Sequence, residues 1–282
     1  MEKEKKQYWS MTEGVFNCLV DKKRTGAFKK AILNTVREGD VVVDMGTGSG
    51  VLAMLAVRAG AKKVYAVELD KNNVDTLEAT FRANGMNEKI VIIQGDVTKI
   101  DLPEKVDVII GEMVSTGLIE ELQVLATNNI LRFAKNNCRV LLNRYKTFVD
   151  VVYNKDSYYG LKFEMIRYEY PDLEELKSKS FSPKYIISDI DFTKNNMDLV
   201  VDKEINLVVN KSGLINAVRL SGETIFYDNS TLGGTFAYSY PAILPMNITK
   251  VKEGDIFILI ISYQICGGMQ KLKYSISKKT HD

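Results

Sequence analysis

The chain has 282 residues, 45% hydrophobic and 26% charged, enough for two domains of ordinary size with their own cores. Its 38 Lys+Arg against 36 Asp+Glu leave a net charge of +2, and neither half holds the basic excess of a nucleic-acid backbone binder. Its longest apolar runs, Val51 to Val57 and Ile256 to Ile261, are too short to span a bilayer, and Cys18, Cys138 and Cys266 suit neither a disulfide framework nor a zinc site.

The start, Met1-Glu2-Lys3-Glu4-Lys5-Lys6, has mixed charge and no apolar core of a signal peptide, which predicts a cytoplasmic location. Tyr8-Trp9 is an aromatic pair suited to a lid over a ligand. Thr25 to Val36 reads as a helix with Phe28, Ala31, Ile32 and Val36 on one face, ended by Glu38-Gly39-Asp40. The run Val41-Val42-Val43-Asp44-Met45 then reads as a buried parallel strand, followed at once by Gly46-Thr47-Gly48-Ser49-Gly50. A helix from Val51 to Ala59 leads to a strand from Lys63 to Val67, closed by Glu68.

That is one βαβ unit with a tight glycine turn, built to hold a nucleotide-like ligand at a strand's carboxyl end. A dinucleotide fingerprint would place its third glycine at position 51, which is Val, and the third glycine here is Gly50. Asp44 puts negative charge where a pyrophosphate would rest. An acid there suits a ligand with a cationic end, such as S-adenosyl-L-methionine, and Glu68 is placed to accept from ribose hydroxyls.

Val74, Leu77 and Phe81 mark the next helix, closed by Asn84-Gly85. There follow a strand Ile90 to Gln94, the turn Gly95-Asp96, and a strand Val106 to Ile110. A helix carrying Leu122, Leu125, Ile130, Leu131 and Phe133 precedes a last strand, Val140 to Leu142. Alternation of this kind predicts a doubly wound parallel sheet. Near Asn143 the period changes to short β-branched runs at 148–152, 205–209, 214–220 and 256–263, with little helix beyond Asp172 to Lys177, and predicts an antiparallel β-barrel or sandwich.

The chemistry belongs beyond the carboxyl ends of the parallel strands. Glu112 leaves the strand Val106 to Ile110 at that edge, and Glu121 lies nine positions on, past a turn containing Gly117. Two facing carboxylates can clamp a guanidinium by paired charge-assisted hydrogen bonds, and carboxylates holding a cation stay ionised to low pH. Asp96 follows a strand where an acid can read an adenine amino group, and Arg24 can pair with a ligand carboxylate. The only histidine is His281, so a histidine base, a Ser-His pair and an HExxH metal site are all excluded from the fold.

Together these residues resemble the protein arginine methyltransferase family. Asp21-Lys22-Lys23-Arg24-Thr25 is similar to that family's leading Asp-x-x-Arg-Thr, whose Arg meets the cofactor carboxylate. Val43 to Gly50 and Lys63 to Glu68 resemble its cofactor motif and ribose acid, and Val97 falls at a backbone contact to adenine. Glu112 and Glu121 match, at the family's spacing, its two substrate glutamates. The resemblance spans nearly the whole chain. It implies a class I S-adenosyl-L-methionine-dependent methyltransferase with a Rossmann-like domain over 1–143, including an N-terminal helical lid, and a β-barrel substrate or partner domain over 144–282.

The family's Thr-His-Trp loop is set here against Phe236-Ala237-Tyr238, and the segment from Tyr153 to Tyr158 is shorter than the arm by which family members pair into dimers. The implied reaction is N-methylation of a guanidinium or amine, with Glu112 and Glu121 catalytic. Arg24, Asp44, Gly46, Gly48, Gly50, Glu68, Asp96 and Val97 would hold the cofactor, with no metal. The partner is a protein or small-molecule substrate bearing a cationic nitrogen, with neither nucleic acid nor membrane favoured. A small-molecule N-methyltransferase and an inactive cofactor-binding scaffold stand as the alternatives.

Overall fold

The computed structural model describes residues 13–170 and 173–279. Tyr8, Trp9, Asp172 and His281, each part of a reading above, lie outside the described residues. Two helices lead, α1 (Glu13–Val20) and α2 (Lys22–Thr35), joined at Asp21. Phe28, Ala31 and Ile32 of α2 are fully buried, the face that the apolar spacing predicts.

Five parallel strands follow: β1 (Val41–Met45), β2 (Lys63–Glu68), β3 (Ile90–Gln94), β4 (Val106–Gly111) and β5 (Ala134–Val140), in the order β3-β2-β1-β4-β5. Between them lie α3 (Val51–Arg58), α4 (Lys71–Ala83) and α5 (Gln123–Ile130). All five residues of β1 are buried, as expected of a central strand covered on both faces. Strand order reverses between β1 and β4, which opens the crevice that such sheets use for ligands.

The register brings three chain segments to that crevice. Met45 lies beside Val67 of β2 on one side and beside Gly111 of β4 on the other. Gly46 therefore leaves the sheet between Glu68 and Glu112. Gly111 has φ +136°, and a Cβ there would meet the Met45 carbonyl oxygen at 2.6 Å, so glycine lets β4 run close to β1 just before Glu112.

The last parallel strand differs from its expected position. β5 pairs with β4 at Ala134 and, after a register shift, at Arg139 and Val140, whereas Leu142 already belongs to a long antiparallel strand, Leu142–Tyr153 (β6). Strand direction thus switches across the single residue Leu141. The helix expected through Phe133 ends at Ile130 and continues as a 3-10 turn over Leu131–Phe133.

The second half is antiparallel. β6 pairs with Tyr185–Asp191 on one side and with Gly213–Phe226 on the other, and Gly213–Phe226 pairs in turn with Ala242–Val251. A second sheet holds Val200–Val208, Ile256–Gln264 and Lys273–Lys278. Leu207, Leu259, Ile261, Val149, Val151, Val218 and Leu220 are fully buried members of the same continuous core as the parallel sheet. No helix among the described residues is long and apolar enough to cross a membrane.

Candidate active site

At the crevice the glycine turn is wound by its own backbone. Gly46, Gly48 and Gly50 all have positive φ, and Gly50 N–H donates to the Thr47 carbonyl at 2.8 Å. Their surroundings differ. A Cβ on Gly50 would meet Phe81 at 2.5 Å, so this glycine serves the packing of α3 against α4. A Cβ on Gly46 would meet Met113 Sδ at 2.8 Å, whereas one on Gly48 finds nothing nearer than Val15 of α1 at 3.6 Å. Gly48 is thus the open position of the turn, and α1 passes over it.

Asp44 is buried beneath this turn. Its Oδ2 accepts from Thr47 Oγ1 at 2.6 Å, while Oδ1 is buried with no hydrogen-bond partner. Desolvation pushes its carboxyl up to about 7, against the pull of the Thr47 hydroxyl and of the nearby Ala53 amide. An orphaned buried carboxylate oxygen calls for a donor or a cation.

Glu68, at the end of β2, is held by three donors of the chain: Gly48 N–H at 3.1 Å, Asn73 Nδ2 at 3.2 Å and Asp70 N–H at 3.0 Å. A carboxylate has about four acceptor positions, so capacity remains for a ligand hydroxyl. Asn73 also donates to the Gly48 carbonyl at 2.7 Å and so ties the glycine turn to the acid. Sequence reading passed over Asn73, since the Asn72-Asn73 pair in the first turn of α4 has no mark that separates a ligand-side Asn from a solvated one.

Asp96 takes a local role. Its Oδ1 accepts from Thr98 N–H at 3.0 Å and Thr98 Oγ1 at 2.6 Å, and its Oδ2 pairs with Lys99 at 3.2 Å. The side chain closes its own turn, as Asp does after a glycine. Val97 is buried, and its carbonyl accepts from Asn129 Nδ2 at 2.9 Å.

Across the crevice Glu112 meets Arg24. Glu112 Oε2 accepts from Arg24 Nε at 2.9 Å and from its terminal nitrogen, and Oε1 accepts from Val114 N–H at 2.8 Å. Both side chains are 6% exposed. Arg24 donates also to the Cys18 carbonyl at 3.0 Å, which leaves part of its guanidinium fork for a ligand. The two residues assigned from sequence to cofactor and substrate are therefore one buried ion pair.

Glu121 completes the group. It precedes α5, and the turn that returns it passes through Gly117 at φ +66°. Ser115 Oγ accepts from the amides of Glu120 and Glu121 at 2.8 and 3.1 Å, which fixes the returning backbone. The whole loop is stitched to the antiparallel half. Tyr145 Oη, 2.6 Å from Ser239 Oγ, accepts from Gly117 N–H at 3.3 Å, and the Leu118 and Ile119 carbonyls accept from Cys266 and Gly268 at 2.8 and 2.9 Å. Sequence reading missed Tyr145, because it stands between Arg144 and Lys146, in the polar stretch separating the run that ends at Leu142 from the one at 148–152.

Burial and the neighbouring Glu112 charge push the Glu121 carboxyl up to about 8, with Arg24 opposing. Ionisation at low pH belongs to a site holding a cation; the ligand-free clamp behaves differently because two acids face one arginine. Since the unfolded chain releases this proton near the usual 4.5, the native state binds more protons between that pH and about 8. Glu121 thus stabilises the fold at low pH, and this contribution is lost as pH rises through about 8. Urea unfolding at several pH values should therefore show a smaller stability loss between pH 5 and 8 in Glu121→Gln than in the parent chain; equal losses would remove Glu121 from this role.

The loop from the antiparallel half reaches Asp21 in a different register from that set out above. Thr235 Oγ1 and Ala237 N–H donate to Asp21 Oδ2, the latter at 2.9 Å, whereas Tyr238 turns into the core, where it pairs with Thr224 and lies edge-on to Phe28. Tyr238 therefore does not line the crevice. Cys18 does: burial, then Glu112, push its thiol up to about 11, and its sulfur lies 3.5 Å from the Ala237 carbonyl.

Among known proteins, the family model of ribosomal protein L11 methyltransferase (PrmA) matches residues 25–141. The uncharacterized protein MJ1452 of Methanocaldococcus jannaschii is 35% identical over 263 residues, 93% of this chain and 95% of that protein. Protein arginine N-methyltransferase PRMT10 of Arabidopsis thaliana is 44% identical over 105 residues, 36% of this chain and 27% of its own length. The histone-arginine methyltransferase CARMER of Anopheles gambiae is 38% identical over 117 residues, 41% of this chain. The chain spans only 19% of that relative's length. Two solved structures share the fold over 93% of this chain and 96% of theirs: Arabidopsis thaliana protein arginine methyltransferase 10 in an open conformation (TM-score 0.74, 19% identity) and the Trypanosoma brucei PRMT1 enzyme-prozyme heterotetrameric complex with AdoHcy (TM-score 0.72, 18% identity).

Proposed function

The chain belongs to the arginine methyltransferase-like class I methyltransferases, and from that footing we propose that it transfers a methyl group from S-adenosyl-L-methionine to a guanidinium nitrogen of a protein arginine. The observation that carries this reading is the meeting, at one crevice, of a glycine turn over an orphaned Asp44 with a Glu112–Arg24–Glu121 group. The residues present fit the donor. Asp44 Oδ1 suits its ammonium, the free part of the Arg24 fork its carboxylate, and the remaining acceptor capacity of Glu68 its ribose. Gly46 and Gly48 allow close backbone approach, Gly50 sets the start of α3, and the Asp96-Val97 turn borders the adenine end. Bound there, S-adenosyl-L-methionine supplies an already activated methyl group.

The protein's own work is orientation and charge. Glu112 and Glu121 accept the N–H groups of the guanidinium and draw its positive charge to one end, leaving electron density on the attacking nitrogen. With the guanidinium cation beside it Glu121 is ionised and can take the proton that the methylated nitrogen sheds, whereas in the ligand-free clamp burial and Glu112 favour its protonated form. Residues 1–143 act as the donor-binding unit and 144–282 as the frame that holds the glutamate loop. A protein acceptor is favoured over a free guanidine by the named substrates of the relatives, histone arginine and protein arginine.

Self-association is part of the same reading. The hairpin formed by Ser157–Tyr158 and Leu161–Lys162 exposes Tyr159, Leu161, Phe163 and Met165, an apolar edge suited to a second copy. Sedimentation equilibrium showing a monomer at high micromolar concentration would remove this arm from the account. For the activity, labelled donor is offered with arginine-rich peptides and, separately, with free guanidines and amines. Labelled peptide is expected. Labelling of metabolites alone would transfer the reading to a small-molecule enzyme, and donor binding with no transfer to either would make the chain a scaffold.

A further inference from the structure

Asp21 is the single residue between α1 and α2, and it is 5% exposed. Its two carboxylate oxygens do different things. Oδ1 accepts from Arg24 N–H at 2.9 Å and caps the first turn of α2. Oδ2 accepts from the Thr235 hydroxyl and from Ala237 N–H, 214 and 216 positions away in the chain. Three hydrogen bonds outweigh the cost of burial and hold the Asp21 carboxyl below its ordinary range.

The donors sit on a stiff turn. Thr235 N–H donates to the Tyr238 carbonyl at 2.8 Å, Tyr238 is anchored on Thr224 and Phe28, and the neighbouring Ser239 hydroxyl lies 2.6 Å from Tyr145 Oη. Tyr145 in turn holds Gly117 in the glutamate loop. One rigid patch of the antiparallel half thus grips both sides of the crevice: Asp21 on the helix side and Gly117 on the loop side. Beyond Asp21, the capped first turn of α2 carries Arg24, whose guanidinium meets Glu112.

We propose that Thr235 is a positioning residue for the methyl-transfer site: by holding Asp21 Oδ2 it fixes the first turn of α2 and so aims Arg24 at Glu112. The claim rests on the methyltransferase reading for its effect on turnover, and on geometry alone for its effect on Arg24. The hydroxyl does this as a neutral donor, so the hold itself has no ionisation in the neutral range. Thr235 is fully buried, which keeps water from replacing its hydroxyl on Asp21.

The test removes the hydroxyl at constant shape. Thr235→Val should lower kcat by about 10- to 100-fold, the scale on which small misplacements at a reacting centre are felt, with KM for the peptide within about threefold. Thr235→Ser should recover most of the loss. A cap with a purely structural role would lower the melting temperature and leave kcat unchanged. A second readout does not depend on turnover: the Arg24 Nε–H resonance, assigned by its loss in Arg24→Lys, should be sharp and slowly exchanging in the parent chain and in Thr235→Ser, and shifted or broadened in Thr235→Val. Thr235→Ala repeats the loss of the hydroxyl with a smaller side chain should the valine variant not fold. An unchanged Arg24 signal in a folded variant lacking the hydroxyl overturns the proposal. Absence of methyl transfer by the parent chain would instead overturn the functional reading, and the Arg24 signal would still decide this one.

Discussion

Glu112→Gln is expected to reduce methyl transfer by about 10²- to 10³-fold, the usual loss when one preorganised electrostatic partner of a transition state is removed. The same variant should also unfold more easily. Glu112 is the counter-charge of a buried Arg24, and breaking a buried pair from one side costs about 3–5 kcal/mol, toward the lower end here because the amide oxygen still accepts. Glu121→Gln should divide these effects. Among the described residues no ion pair reaches its carboxyl, and burial together with Glu112 outweighs the pull of Arg24 and disfavours its ionised form, so the amide should lower turnover on a similar scale without loss of stability at pH 7. Steady-state transfer measured beside urea unfolding reads both quantities. Full activity in both variants would move the chemistry away from the glutamate loop.

That contrast between two glutamates is invisible in the sequence, where they are two acids nine positions apart. The parallel sheet was legible because its inner strands are short, mainly apolar and largely buried, interrupted only by Asp44 in β1 and Asp107 in β4 and bounded by Lys63 and Glu68 in β2. β5 was not: Lys135-Asn136-Asn137-Cys138 fall in the register shift between Ala134 and Arg139, outside the pairing with β4, and the first three are exposed, so no apolar run marks the strand. In the antiparallel half the strand Ala242–Val251 was hidden by Pro245, which sits where the pairing with Gly213–Phe226 shifts register. Candidate site residues were found wherever a residue type and a strand end coincide, as at Asp44, Glu68 and Glu112. Those that act through distant partners were not found. Thr235 meets Asp21 across 214 positions and Tyr145 meets Gly117 across 28, and no local pattern encodes either contact. The Arg24–Glu112 pair belongs to the same class, since each residue carried a plausible separate partner until the fold set them side by side.

Substitution within the glycine turn should have its largest effect on the donor. Gly46 has φ +64°, where a β-branched residue is strained by roughly 1–2 kcal/mol, and its Cβ would lie 2.8 Å from Met113 Sδ. Met113 is flexible and can yield, so the larger effect is the bulk that Gly46→Val adds at the turn between Glu68 and Glu112, where the ligand's backbone-facing side would rest. Donor affinity is expected to fall by at least about 100-fold, close to 3 kcal/mol, beyond what strain alone removes from the fold. Gly48→Ala separates the two effects. Its Cβ meets nothing within 3.6 Å, so the strain of φ +54° is its only cost to the folded chain, while the added methyl stands at the open position of the turn. Calorimetry with S-adenosyl-L-methionine should show a loss of about tenfold or more for Gly48→Ala at nearly parental stability. Unchanged affinity in both folded variants would place the donor elsewhere, because no ligand that rests its backbone-facing side on this turn can tolerate a side chain at both positions.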